Sequence, residues 1–279
     1  MKIVKTVLAL GFTILLAISA AQAVEIGPDP TSTLLNGDGP FAVTSTSASG
    51  ASGFGGGTIY YPNEAGSYGV IAVCPGFTNT SSAISWFARR LATHGFVTIA
   101  MNTNSRFDQP DSRATQLRAA VNYMINSSPS AARSRIRAAD RGVSGYSMGG
   151  GGTLLASSQD ATLKVGISLA PYCSTKNFSS VSVPQMLFGG SSDSIASVSS
   201  HAQRFYDSIT QAEKALAVLN GASHLSFTSL DQRDARYGVA FAKRFVDGDT
   251  RYNEFLCGAE HTAYATSSRF TKYQSTCPY

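Results

Sequence analysis

Val143-Ser144-Gly145-Tyr146-Ser147-Met148-Gly149-Gly150 reads Gly-x-Ser-x-Gly, with small and apolar residues before it and a glycine-rich, helix-compatible run after it. A serine at a sharp strand-to-helix turn stands clear of the sheet. Glycines two positions to either side let the backbone turn without a side-chain clash. The helix that starts behind the serine aims its first amides at any anion formed there. The five letters alone carry little, because Gly and Ser are common, and a glycine-rich turn with an idle serine is the plain alternative. Context decides: a strand before, a helix after, and matching partners downstream. The Gly149–Gly152 run lacks the lysine of a phosphate-binding loop.

Around this turn the chain alternates strands and helices. Tyr68–Cys74, Phe96–Met101, Arg141–Gly145, Val165–Ala170, Gln185–Phe188 and Lys214–Leu219 read as strands. Ser82–His94, Pro110–Asn126, Met148–Ser157, Val198–Ile209 and most of Phe227–Phe245 read as helices, with Gly95 a terminator and Pro110 a starter. Strands rich in Val, Ile and Leu without strict alternation are buried on both faces. That predicts an α/β fold with a mostly parallel twisted sheet flanked by helices. The glycine- and serine-rich stretch from Ser47 to Gly57 reads as a hairpin loop within one domain spanning 24–279.

Residues 1–23 read as a secretory signal peptide. Lys2 and Lys5 precede an apolar core from Val7 to Ile18, and Ala21-Gln22-Ala23 is a small-x-small cleavage site. That core is too short to span a bilayer, so the expectation is an exported, soluble protein with no membrane span. Removing Lys2 and Lys5 leaves 20 basic against 17 acidic residues, a net charge of +3 in place of +5. No Lys/Arg-dense run with interleaved aromatics suggests nucleic acid. No clustered His, Cys or carboxylate set suggests a metal, and no cofactor is expected. A monomer is expected.

Four cysteines in an exported chain invite disulfides. Bonding Cys257 to Cys277 would staple a tail of little regular pattern, closing a loop of about 20 residues worth roughly 3 kcal/mol. Cys74 ends one strand and Cys173 follows another. With the nucleophile strand between them they lie about 9–10 Å apart, beyond disulfide reach. Both read as unpaired unless the loop after Cys173 bends.

A serine hydroxyl needs a base, and the base needs a carboxylate to fix its tautomer. In this type of site the chain order is Ser, acid, His. His224 follows the strand Lys214–Leu219 in a Gly-containing loop, at the sheet edge where α/β sites assemble. His94 ends a helix, His201 lies within a predicted helix, and His261 sits in the tail; these read as structural. Asp193 is the only carboxylate in the loop after Gln185–Phe188. Asp160, Asp207 and Asp231 read as surface charges. For the oxyanion, one amide comes from Met148 and the other from Phe77, in Pro75-Gly76-Phe77-Thr78. Ala170 to Gln185 leaves about fifteen residues, too few for a helical lid. An open cleft bordered by Phe77, Tyr146, Tyr172 and Ile195 suits bulky, extended or polymeric esters.

With those residues in place, the chain resembles the bacterial cutinases and the related poly(ethylene terephthalate) hydrolases. The similarity is carried by Pro75-Gly76-Phe77-Thr78, His94-Gly95-Phe96-Val97, Asn102-Thr103-Asn104-Ser105, Asp108-Gln109-Pro110 and Gly145–Gly152. It continues through Asn177-Phe178-Ser179-Ser180-Val181, Asp193-Ser194-Ile195-Ala196, Gly221-Ala222-Ser223-His224 and Lys243-Arg244-Phe245. The resemblance implies an α/β-hydrolase fold, which the short Ala170 to Gln185 span leaves without a lid domain, and no cofactor. It also implies ester hydrolysis by Ser147, Asp193 and His224, an oxyanion hole from Phe77 and Met148, an aromatic clamp, and the Cys257–Cys277 bridge. Departures concern substrate preference: Phe77 stands where the family usually has Tyr, Tyr172 where it has Trp, and Cys173 where a polar or acidic residue is common. A second bridge between the acid and histidine loops, present in some members, has no cysteines here. The alternatives are a lipase or general carboxylesterase on acylglycerols and small esters, a peptidase, or an inactive hydrolase fold used for surface binding.

Overall fold

The computed structural model describes residues 23–279; the predicted signal peptide lies outside the described residues except for Ala23. Nine strands form one sheet: β1 (Val43–Ser47), β2 (Gly57–Pro62), β3 (Tyr68–Cys74), β4 (Phe96–Met101), β5 (Ile136–Tyr146), β6 (Val165–Leu169), β7 (Gln185–Gly190), β8 (Lys214–Leu219) and β9 (Phe270–Ser275). Their order across the sheet is β1-β2-β4-β3-β5-β6-β7-β8-β9. The run from β4 to β8 is parallel. β1 and β2 pair antiparallel at one edge and β9 closes the other.

The helices among the described residues are α1 (Ser32–Asn36), α2 (Ser85–Thr93), α3 (Pro110–Asn126), α4 (Ser130–Arg133), α5 (Met148–Gln159), α6 (Ala202–Ser208), α7 (Gln232–Val246), α8 (Asn253–Leu256) and α9 (Ala259–Tyr264). Two apolar cores separate them. Val70, Ala72 and Cys74 of β3 point into the core beneath α3, α5 and α6. Ile71 and Val73 point into the other, beneath α2 and α7. Alternate residues of each central strand therefore feed opposite cores, which is why these strands read as unbroken apolar runs. The chain has the mostly parallel, helix-flanked sheet of an α/β-hydrolase, and no helix lies between β6 and β7.

Several elements differ from the sequence expectation for local reasons. A 3₁₀ turn at Ser81–Ala83 precedes α2, which starts only after Ile84 leaves helical geometry. β5 begins five residues earlier than Arg141: Ile136 pairs with Tyr68, the register then shifts, and the ladder with β3 resumes at Arg141, while Arg137, within the interruption, bridges Asp140 and Asp247. The expected helix Val198–Ile209 forms only over Ala202–Ser208. His201 is its N-cap residue and not an interior one. The tail contains α8, α9 and β9, more regular structure than its pattern suggested, and β9 lies along β8.

Cys257 and Cys277 are bonded across 20 residues, with Cα atoms 5.9 Å apart, and Cys74 and Cys173 are buried free thiols. The bridge ties the end of β9 to α8. Replacing both cysteines by serine is expected to cost about 3 kcal/mol, read as a lower midpoint in denaturant with little change in activity at 25 °C.

A buried carboxyl on α7 sets a second expectation. Asp234 has no exposure, and neither of its oxygens meets a hydrogen-bond partner among the described residues. Burial, aided by the Asp231 charge, pushes its pKa well above the ordinary value of 3.8. Between the unfolded and folded pKa values, the folded state therefore holds a proton that the unfolded chain has released. Stability is unaffected below the unfolded pKa and falls as pH rises through the interval up to the folded one. Asp234→Asn is expected to raise the melting temperature at pH 8 and to leave it unchanged near pH 3, measured by calorimetry across that range.

Candidate active site

Ser147 occupies the turn between β5 and α5 with φ 55° and ψ −118°, a left-handed conformation unusual for a residue with a Cβ. Three backbone hydrogen bonds hold it. Its amide donates to Leu169 O at 2.9 Å, and its carbonyl accepts from Gly151 at 3.0 Å and Tyr172 at 2.9 Å. The flanking glycines serve close packing. A Cβ on Gly145 would lie 2.3 Å from Gly149 O, and one on Gly149 would lie 2.4 Å from Cys74 O.

The loops after β7 and β8 bring the partners. His224 Nε2 is 2.8 Å from Ser147 Oγ, and its Nδ1 is 2.7 Å from Asp193 Oδ2. The second Asp193 oxygen accepts from the amides of Ile195 at 2.9 Å and Ala196 at 2.7 Å. Burial alone would push this carboxyl upward. The His224 hydrogen bond and the two amides outweigh it and hold its pKa below the ordinary value, so it stays ionised. The two loops are stitched together. Ser191 N donates to Leu219 O at 3.0 Å, Ser192 N to Ala222 O at 2.9 Å, and Gly221 N to Ser191 Oγ at 2.8 Å. These bonds join the same loops that the absent second bridge would join.

The other histidines are placed elsewhere. His94 is buried against Gly37 O, and burial lowers its pKa to about 4. His261 Nδ1 pairs with the Tyr237 hydroxyl at 2.7 Å. His201 stacks on Tyr172 with ring centroids 4.8 Å apart. It thus packs on a residue expected at the cleft, a contact that its place in the sequence just before α6 does not show.

Phe77 lies on the loop after β3, 40% exposed, and Ile195 on the loop after β7, 58% exposed. Tyr172, half-buried, lies on the loop after β6. Tyr146 differs from expectation. It is 2% exposed and belongs to the core beneath α7, with its ring 5.2 Å from that of His224. Its ring packs beside the imidazole and against Gly76 of the loop after β3, with little surface left exposed. Strand alternation contains this signal, since Gly145 and Tyr146 must face opposite sides of β5. Two further exposed side chains stand nearby and carry no mark in the sequence. Phe107, 61% exposed after β4, meets Phe77 edge to face at 5.7 Å, and Leu225 follows His224 directly. Neither the Phe77 nor the Met148 amide donates to an acceptor among the described residues.

A carboxylate, an imidazole and a hydroxyl in hydrogen-bonded series beside two free amides can carry acyl transfer. Comparison with known proteins agrees. The family model described as PETase, PET hydrolase-like, matches residues 18–278. The chain belongs to the PET hydrolase-like family. Cutinase est2 of Thermobifida alba is 48% identical over 264 residues, covering 93% of this chain and 87% of that protein. Cutinase cut1 of Thermobifida fusca is 48% identical over 93% of this chain and 82% of its own length. A bis(hydroxyethyl) terephthalate hydrolase of Streptomyces coelicolor is 40% identical over 94% of this chain and 84% of its own. This PET hydrolase-like chain is a carboxylic ester hydrolase, and no helix among its described residues is long and apolar enough to cross a membrane.

Proposed function

We propose that the protein is an exported, monomeric serine esterase that cleaves cutin-type or synthetic polyesters by way of an acyl-enzyme. The observation that carries this reading is the relay from Asp193 through His224 to Ser147, at 2.7 and 2.8 Å. Ser147 Oγ attacks the ester carbonyl while His224 Nε2 takes its proton. Asp193 keeps the Nδ1–H tautomer and stabilises the imidazolium. The amides of Phe77 and Met148 hold the oxyanion. His224 then protonates the leaving alkoxide, and water repeats the sequence to release the acid. Phe77, Phe107, Tyr172 and Ile195 offer apolar faces to an extended acyl chain, with no helix between β6 and β7 to cover them.

Incubation with cutin, a triglyceride emulsion and aliphatic and aromatic polyester films, with product analysis, tests the substrate class. Release of acids and hydroxy-esters from film at rates comparable to those on soluble esters is expected. Turnover confined to small esters or acylglycerols would make the protein a general carboxylesterase or lipase. Export with removal of residues 1–23 predicts Val24 as the mature terminus, readable by intact mass from a secreting host.

A further inference from the structure

Beneath the oxyanion loop lies a charge that the reaction as described does not use. Arg113, on α3, has no exposure, and no carboxylate lies within 4 Å of its guanidinium among the described residues. Burying an unpaired cation costs several kcal/mol unless its donors are well satisfied. All three of its nitrogens donate to backbone carbonyls of two loops: Nε to Asp108 O at 2.8 Å, Nη1 to Pro75 O at 2.9 Å and Nη2 to Arg106 O at 3.0 Å.

The choice of carbonyls matters. Pro75 precedes Gly76-Phe77, and its oxygen packs against Gly149, where an added Cβ would come within 2.5 Å of it. Arg106 O also accepts the amide of Thr78 at 2.8 Å. Thr78 is held in the left-handed region at φ 64°. The guanidinium therefore grips the chain on both sides of Phe77, directly at Pro75 and through Arg106 O at Thr78. It also sets that loop against the turn that carries Met148. A planar fork with donors in fixed directions can do this; a lysine ammonium cannot reach three carbonyls so arranged.

We infer that Arg113 is a positioning residue for the oxyanion hole, fixing the Phe77 amide relative to that of Met148. The inference rests on reading those two amides as the hole. Because a misplacement of about 1 Å can cost 10²-fold in rate, loosening the grip acts chiefly on kcat, and the shift of the Phe77 ring, one of several apolar faces at the site, adds only a small change in KM.

The test is Arg113→Lys, which keeps the charge and loses the fork, assayed on a soluble ester with rates normalised to the folded fraction from circular dichroism. A fall in kcat of about 10- to 100-fold with KM within about twofold is expected. The rate of labelling by a fluorophosphonate should fall in parallel, because its phosphoryl oxygen uses the same amides. Thr78→Gly probes the same grip from the solvent side. Glycine accepts the left-handed backbone without strain but no longer locks it. This variant is expected to melt no lower than the parent while losing severalfold in kcat at unchanged KM, opposite signs that a purely structural role would not produce. An R113K enzyme that melts lower but keeps its kcat per folded molecule would overturn the inference, as would a loss expressed in KM alone. If R113K does not fold, an unaltered kcat in T78G overturns it. Failure of the catalytic reading itself looks different: there, Ser147→Ala would retain turnover whatever Arg113 does.

Discussion

Ser147→Ala, His224→Ala and the double variant are each expected to lower kcat on a soluble ester by about 10⁶-fold, with the double no worse than either single. The hydroxyl is acylated only when the imidazole takes its proton, so removing either partner removes the whole step. KM should change little, because the apolar side chains proposed to hold the substrate, Phe77, Phe107, Tyr172 and Ile195, are left in place by these substitutions. The residual rate should still exceed that of water, since the Phe77 and Met148 amides remain. Asp193→Asn separates the roles further. The Ile195 and Ala196 amides still find an oxygen to hold, but the Asn amide favours the wrong imidazole tautomer. A fall of roughly 10⁴-fold is expected. Measured additivity between Ser147 and His224 would mean that they act in different steps, and the relay reading would fail.

The relay was legible because each member follows an apolar strand: Ser147 after β5, Asp193 after β7, His224 after β8. Parallel strands place such residues on one edge, so chain order and strand ends suffice to gather them. The central strands were legible for a related reason. Burial on both faces removes polar interruptions, and β3, β4 and β8 occupy the ranges read from sequence. What escaped lies where one face meets water. β9 has only Phe270 buried among Thr271, Lys272, Tyr273, Gln274 and Ser275, so no apolar run marks it, and the pairing partner β8 decides its conformation. Phe107 and His201 escaped because their placement depends on contacts across loops, Phe107 with Phe77 and His201 with Tyr172. Arg113 escaped for the same reason. Its three acceptors are backbone carbonyls, which have no letter in the sequence.

Gly149→Ala is expected to damage stability and catalysis together, through a contact that no side chain reveals. The new methyl carbon would fall 2.4 Å from Cys74 O and 2.5 Å from Pro75 O. Both are backbone atoms at the end of β3, which is hydrogen-bonded on one side to β4 and on the other to β5. The sheet cannot yield cheaply, so the N-terminus of α5 must move away from it. Overpacking of this kind typically costs 1–3 kcal/mol and more where the neighbour is rigid, which for a chain of this size lowers the melting temperature by roughly 6–12 °C at 3 kcal/mol. The displacement also carries the Met148 amide away from that of Phe77, and loss of one oxyanion donor is worth about 10²–10³ in kcat. Gly37→Ala is the control: its added methyl would approach nothing nearer than Thr33 O at 3.6 Å, and it should leave both properties close to those of the parent. A G149A protein with parental melting temperature and kcat would show that the turn can widen freely, and the tight seating of Gly149, at the start of α5, against β3 would then contribute little to the reaction.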